Sequence, residues 1–202
     1  IEEYLDGEEL SFFALSDGET VVPFTSAQDH KRVGEGDIGP NTGGMGAYSP
    51  AHLLTHDLQQ KIMAQIILPT VKGMKEMGCP FQGMLYAGIM VVGDDPYLIE
   101  YNARFGDPET QPMLLRLQND LLQLLDACAT GKLADHPQLD FSPYTALCVA
   151  VAAKGYPGSY AKGGVIKGIE QADQMQGVKV FHAGTSKNAA GEIVDNGGRV
   201  LS

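Results

Sequence analysis

The sequence has 202 residues, of which 44% are hydrophobic and 19% charged, and its formal net charge at pH 7 is −11. This suits one well-packed domain or two small ones, and no apolar run approaches the ~20 residues of a membrane span. The acidic balance argues against nucleic acid or an anionic membrane as partner, because phosphate surfaces select basic proteins, but it leaves room for a small anionic ligand. Glycine is in excess, at 25 residues, without period and concentrated in loops. Cys79, Cys128 and Cys148 are odd in number and far apart, which fits reduced thiols in the cytoplasm better than a disulfide framework or zinc site. No signal peptide is visible. The chain starts at Ile1 without Met and ends at Arg199-Val200-Leu201-Ser202, so both ends read as cut from something longer.

In chain order, Asp6-Gly7 and Asp17-Gly18 separate the apolar runs 1–5, 10–15 and 20–24, which predicts two hairpins. From Thr25 to Pro50 no period appears, and the six glycines and two prolines of residues 34–50 predict a functional loop. Thr55 to Gly78 carries helical spacing, with Thr55 as N-cap and Pro69 as a point of division. Met84 to Val92 reads as a strand buried on both faces, and Tyr97 to Arg104 as a second strand. Leu114 to Ala129 reads as one helix closed by Gly131. The polar stretch from Asp135 to Pro143 suggests a lobe boundary, giving 1–138 and 139–202. Beyond it lie a strand at 145–153, a glycine-rich turn at 154–158 and short strands near 165–169, 178–182 and 192–201. The implied class is α+β.

The chemistry-bearing residues concentrate in three stretches. Strand period places Tyr97, Ile99, Tyr101 and Ala103 on one face, and Glu100, Asn102 and Arg104 on the other. A carboxylate and an amide oxygen one strand step apart are hard donors suited to Mg²⁺, which retains waters and substrate phosphates as its other ligands. Arg104 is placed to meet a transferring phosphoryl group or oxyanion. The same spacing also suits a merely polar outer strand face. Phe105-Gly106-Asp107-Pro108-Glu109 follows as a turn in which Asp107 or Glu109 suits a helix cap. In the long loop, Asp29-His30-Lys31-Arg32 precedes Asn41-Thr42-Gly43-Gly44-Met45-Gly46, whose successive backbone N–H groups suit an anion-binding nest. It is neither a Walker A loop nor a dinucleotide fingerprint. The five histidines are scattered, and His52, His56, His136 and His182 show no partner pattern.

These blocks, from Ala27–Arg32 and Gly39–Tyr48 to Glu100–Glu109 and Lys154–Gly158, together resemble the glycinamide ribonucleotide synthetase (phosphoribosylamine–glycine ligase) family of ATP-grasp enzymes. The resemblance runs in order through essentially the whole chain. It implies the large lobe of an ATP-grasp fold, a mixed or antiparallel sheet with helices, plus most of a β-rich C-terminal lobe. It implies ATP as co-substrate, phosphorylation of the glycine carboxylate, and attack on the glycyl phosphate by 5-phosphoribosylamine. By position, Glu2, Glu3, Tyr4 and Leu5 would form the adenine hinge and Glu8 or Glu9 would bind the ribose. Glu100 and Asn102 would hold Mg²⁺ (or Mn²⁺), and Arg104 would stabilise charge in transfer. Asp29, Lys31, Arg32, Gly43, Gly44, Met45, Asp107 and Glu109 would face phosphoribosylamine and glycine. The further carboxylate that many ATP-grasp enzymes supply from the preceding strand has no counterpart in Leu85-Tyr86-Ala87-Gly88. The family's N-terminal domain and small phosphate-clamping lobe would precede Ile1. The chain's partner would then be the missing portion of the same enzyme, and the isolated chain is expected to be inactive. Another ATP-grasp carboxylate–amine ligase and a non-catalytic nucleotide- or partner-binding module stay open as alternatives.

Overall fold

The computed structural model describes residues 3–36, 38–136 and 138–202. The chain divides into two compact units, Ile1–Asp29 with Tyr48–Leu147, and His30–Ala47 with Cys148–Ser202. The second thus takes in much of the glycine-rich segment, and the division falls nine residues beyond the boundary expected at 138/139.

The first unit is built on strands β1 (Glu8–Asp17), β2 (Val21–Asp29), β6 (Gln82–Val92) and β7 (Asp95–Asn102), with β5 (Gly46–Ser49) and β8 (Ala146–Val149) as the strands in which the chain passes between units. The sheet order is β7-β6-β1-β2-β5-β8. One face packs on helices α1 (His56–Ile62) and α2 (Leu68–Glu76), joined by a π-helical turn over Met63–Ile67. Leu10, Phe12, Ala14, Leu85, Ala87 and Ile89 meet Leu58, Ile62, Ile66, Ile67 and Val71 there. The other face packs on α3 (Thr110–Arg116) and α4 (Leu121–Thr130), through Phe13, Leu15, Met84 and Tyr86 against Met113, Leu124, Ala127 and Cys128. Burial on both faces explains the unbroken apolar run of β6.

Local chemistry accounts for the boundaries. Thr55 caps α1 by accepting from Leu58 N at 3.1 Å. Pro69, which lacks an N–H, follows a turn in which Leu68 N reaches back to Met63 O, so the predicted division occurs as a π turn within a continuing helix. Of the two hairpins expected, the described residues form the one at Asp17-Gly18, and residues 1 and 2 of the other lie outside the described residues. Described residues 3–7 form no strand, and Gly7 serves close approach instead, since a Cβ there would lie 2.2 Å from Val91 O. The helix expected over 114–129 is two helices. Leu117 turns extended and pairs with Phe141, and Asp120 caps α4 by accepting from Leu122 N at 2.9 Å.

Residues 140–144 are tied to the first unit by Arg116, whose side chain is 7% exposed. Its guanidinium donates to Tyr144 O (2.9 Å), Ser142 O (3.1 Å) and Ser49 Oγ (3.0 Å), and lies 5.4 Å from the Phe141 ring centre. These carbonyl and hydroxyl acceptors replace hydration that burial removes, and burial lowers the pKa of the guanidinium.

In the second unit, the segment expected to lack regular structure contains the hairpin β3 (Arg32–Gly34) and β4 (Ile38–Asn41). The rest is short: β9 (Val151–Ala152) pairs with β12 (Arg199–Leu201), and β10 (Thr185–Lys187) with β11 (Ile193–Asp195). The strand expected over 145–153 is interrupted at Ala150, whose N–H goes to Met45 O at 2.9 Å. Residues 169–173 form a short helix, α5 (Ile169–Asp173), where a strand end was expected. Near residues 165 and 182 the expected strands reduce to the single bridges Val165–Val194 and His182–Leu201. Among the described residues, no helix is long and apolar enough to cross a membrane.

The β1–β2 turn supplies a stability test. Asp17, 4% exposed, accepts from Thr20 N (2.6 Å), Glu19 N (3.0 Å) and Leu133 N (3.0 Å). Burial pushes its pKa up, but these N–H donors outweigh burial and hold it below the ordinary value. Its contribution is therefore full above the unfolded carboxyl pKa of about 3.9 and is lost as pH falls through the lower folded value. Asp17→Ala should cost about 2–3 kcal/mol at pH 7 in urea unfolding. The gap to the parent chain should narrow on acidification to about pH 3.

Candidate functional site

The polar face of β7 depends on a bulge. Ile89 pairs with Leu98, but Gly88 pairs with Glu100, so Ile99 is an extra residue. Directly paired residues share a sheet face. Tyr97 (opposite Met90), Glu100 (opposite Gly88) and Asn102 (opposite Tyr86) therefore lie together on the α3/α4 face. This corrects the strict alternation that grouped Tyr97 with Tyr101. Tyr101 packs on the opposite face, and its hydroxyl donates to Ile66 O at 3.1 Å in the π turn. A Cβ on Gly88 would lie 3.3 Å from Glu100 Cγ, so the glycine leaves the Glu100 side chain its room.

The three predicted groups form one chain of contacts. Asn102 Nδ2 donates to Glu100 Oε1 at 3.1 Å, and Arg104 Nη2 donates to Asn102 Oδ1 at 3.2 Å. Arg104 stands just beyond the end of β7, with its Nη1 on Phe105 O at 2.8 Å. Glu100 and Arg104 are exposed and Asn102 is half-buried, so an oxygen pair with an adjacent cation faces solvent. Among the described residues no group of three or more His, Cys, Asp or Glu side chains gathers as a metal-ligand set. The donor chemistry is thus one carboxylate and one amide oxygen, which fits a hard divalent cation that keeps waters and phosphates in its remaining positions.

The turn after Arg104 separates two residues expected to act alike. Asp107 is exposed, whereas Glu109 is 2% exposed. Glu109 occupies the N-cap position of α3 without capping it. Its carboxylate instead turns inward, where Oε1 accepts from Tyr86 Oη at 2.8 Å and Ser11 Oγ at 3.1 Å.

At the start of the chain, Glu2 lies outside the described residues. Glu3 and Tyr4 are exposed and Leu5 half-buried in irregular backbone, and Glu8 and Glu9 are exposed at the start of β1. A depression of about 640 Å³ is lined by Glu8, Leu58, Lys61, Val91 and Asp94 among others, and among the described residues Glu8 is its one contributor from the expected site. Asp29 ends β2 in the first unit, and Lys31, Arg32, Gly43, Gly44 and Met45 belong to the second.

Within the second unit the glycine-rich loop is not an open nest. Thr42 N donates to Lys31 O (2.7 Å), Gly43 N to Tyr156 Oη (3.1 Å), Gly44 N to Thr42 Oγ1 (3.0 Å) and Met45 N to His30 O (2.8 Å). The N–H groups of residues 42–45 thus have protein acceptors. The cation against the loop is Arg199, which donates to Gly44 O at 3.3 Å; a Cβ on Gly43 would lie 3.1 Å from its Nη2. Arg32 is directed to Gly39 O at 2.8 Å. Tyr156 lies in a block that carried the resemblance, but Arg199, 155 residues from Gly44, has no local signal.

A family model described as the phosphoribosylglycinamide synthetase ATP-grasp (A) domain matches residues 1–110, and one for the C domain of that synthetase matches residues 146–202. The chain belongs to the phosphoribosylglycinamide synthetase family. A phosphoribosylamine–glycine ligase of Mesorhizobium japonicum is 55% identical over 202 residues, covering 100% of this chain and 47% of the relative. A chloroplastic ligase of the same name from Arabidopsis thaliana is 56% identical over 204 residues, covering 100% of this chain and 38% of the relative. The crystal structure of the phosphoribosylamine–glycine ligase of Thermotoga maritima superposes with a TM-score of 0.87 at 34% identity, over 99% of this chain and 48% of that one. A biotin carboxylase domain at 16% identity, with a TM-score of 0.68, shares the fold. The chain spans 38% to 48% of the length of these family relatives. The α+β fold is that of the ATP-grasp family, which implies ATP and a divalent metal in general.

The loop geometry distinguishes two adjacent glycines. A Cβ on Gly43 would first meet the guanidinium end of the long Arg199 side chain, whereas Gly44 is buried with φ at 109°. Gly43→Ala should cost less than about 1 kcal/mol, and Gly44→Ala about 1–3 kcal/mol from left-handed backbone strain. Chemical denaturation of the two variants checks the order.

Proposed function

We propose that this chain carries the metal-binding and substrate-handling half of a phosphoribosylamine–glycine ligase. The reaction joins glycine to 5-phosphoribosylamine at the expense of ATP, in two steps. A glycine carboxylate oxygen attacks the γ-phosphorus of ATP, giving glycyl phosphate and ADP. The amine of phosphoribosylamine then attacks the glycyl carbonyl, the C–N bond forms, phosphate leaves, and the amine loses a proton. The products are glycinamide ribonucleotide, ADP and phosphate.

The observation that carries this reading is the line Glu100–Asn102–Arg104, hydrogen-bonded from end to end in a chain of this family. Glu100 and Asn102 are the residues that would hold Mg²⁺ or Mn²⁺, whose charge would neutralise phosphate oxygens. Arg104, fixed by Asn102 and the Phe105 carbonyl, presents a guanidinium to the phosphoryl oxygens and stabilises the charge that accumulates on them in transfer. Asp107, exposed on the adjoining turn, serves the amine-bearing substrates. Glu3, Tyr4 and Leu5, followed by Glu8 and Glu9, serve the nucleoside of ATP. The Lys31–Arg32 and Gly43–Met45 segments, with Arg199 behind them, serve the anionic substrate through side-chain cations, because the N–H groups of residues 42–45 are already bonded. The cellular setting is cytoplasmic, or a plastid in the manner of the plant relative.

The relatives are about twice as long, and catalysis of this type consists of positioning and electrostatic stabilisation. The 202-residue chain alone should therefore release no ADP in response to glycine and phosphoribosylamine, and joining it to the remaining portion of a family ligase should restore release. In that complete ligase, Glu100→Ala should lower kcat at least about 100-fold, and Arg104→Ala by about 10²–10³-fold. Steady-state ADP release measures both, and parent-like turnover by Glu100→Ala would overturn the assignment.

A further inference from the structure

Glu109 is a buried carboxylate that the proposed chemistry does not use directly. It lies on the same sheet face as the Glu100–Asn102 pair, because its partners are the neighbours of that pair in the register. Tyr86 is directly opposite Asn102, and Ser11 pairs with Gly88, which in turn pairs with Glu100. Three oxygens, Glu109 Oε1, Tyr86 Oη and Ser11 Oγ, form a closed triangle with edges of 2.8, 3.1 and 2.9 Å. All three residues are buried, at 2%, 7% and 5% exposure. The Tyr86 ring is itself held by Phe13, with ring centres 4.5 Å apart. Burial and the adjacent carboxylate raise the Tyr86 pKa, which keeps its hydroxyl a donor.

The other side of the carboxylate fixes the turn. A Cβ on Gly106 would lie 2.3 Å from Glu109 Oε2 and 2.5 Å from Cδ, so the backbone at Gly106 folds directly over the carboxylate. The preceding residue, Phe105, gives its carbonyl to Arg104 Nη1 at 2.8 Å. An unbroken series of contacts therefore runs from the two central strands through Glu109 and the Gly106 backbone to Arg104, and on to Asn102 and Glu100.

We propose that Glu109, clamped by Tyr86 and Ser11, is a positioning residue that sets the Phe105–Pro108 turn and through it Arg104, and is not a substrate ligand. The proposal deepens the ligase reading and rests on it for its kinetic consequence. The geometric consequence stands by itself.

Hydrogen exchange on the 202-residue chain reads the geometry without reference to activity. Tyr86→Phe and Glu109→Ala should speed exchange at the amides of residues 105–110 (Pro108 excepted) about tenfold or more, while the amides of β1 and β6 keep their rates. Ser11→Ala provides the same reading should either of those variants fail to fold. Unchanged exchange in the turn overturns the proposal. In the complete ligase, Tyr86→Phe should lower kcat about 10–100-fold while the KM values for glycine and phosphoribosylamine stay within about twofold. Glu109→Gln, which still offers an acceptor to both hydroxyls, should lose less kcat than Glu109→Ala. A KM for one substrate raised about tenfold by Glu109→Gln, with Tyr86→Phe kinetically silent, would make Glu109 a substrate ligand and overturn the proposal. Failure of the ligase reading looks different: the parent complete ligase would show no glycine-dependent ADP release, and the exchange result would still decide the role of Glu109.

Discussion

Strand β1 has both of its faces covered from Leu10 to Asp17. Leu10, Phe12 and Ala14 pack on one helical layer, and Phe13 and Leu15 on the other. Every polar side chain on that covered stretch must consequently find its partner inside the protein. Ser16 donates to Phe81 O at 2.9 Å and Asp17 accepts from three backbone N–H groups. Ser11 joins the Tyr86–Glu109 triangle. The same requirement that stabilises the core thereby specifies the turn after β7. The strand that carries Glu100 and Asn102 and the buried strand are joined by a satisfied polar cluster, in which a half-satisfied member would be costly.

The two units show contrasting ways of presenting polar groups. In the first, a broad sheet fixes the face of β7, and a single bulged residue decides which side chains stand beside Glu100 and Asn102. In the second, strands are two to four residues long, and the glycine-rich loop is held by side chains instead: Tyr156 on Gly43, Thr42 on Gly44, and Arg199 on the Gly44 carbonyl. With the N–H groups of residues 42–45 occupied, the charge of the loop comes from side chains. Glycine at residue 43 admits the Arg199 guanidinium, and glycine at residue 44 accommodates a positive φ.

Much of this organisation is legible in residues read locally. The Thr55 cap, the division at Pro69, the Asp17-Gly18 hairpin, the Gly131 closure and the doubly buried β6 each depend on interactions within a few residues or on a simple apolar run. The Glu-x-Asn-x-Arg spacing likewise brings its three side chains into contact. The departures share a different cause. The bulge at Ile99 arises from pairing with β6, and the break before Asp120 is completed by Asp140 and Phe141. Residues 140–144 join the first unit because Arg116 binds their carbonyls, which no composition shift announces. The occupied N–H groups of the loop depend in part on Tyr156, more than a hundred residues away.

The sequence by itself determined which chemistry is available, namely the α+β class, the oxygen donors with their adjacent guanidinium, the acidic balance and the family blocks, because residue type and short spacing carry that information. Only the tertiary structure decided how those groups are presented. It turned Glu109 inward while leaving Asp107 exposed, although the two lie within one turn, because only Glu109 meets the hydroxyls of two central strands. It moved Tyr97 to the face of Glu100 through one extra residue, and it brought Arg199 to the glycine-rich loop. Each of these outcomes depends on a partner elsewhere in the chain, buried hydroxyls for Glu109, the paired strand β6 for Tyr97 and the loop carbonyl for Arg199, and local sequence carries no record of where the partner will be.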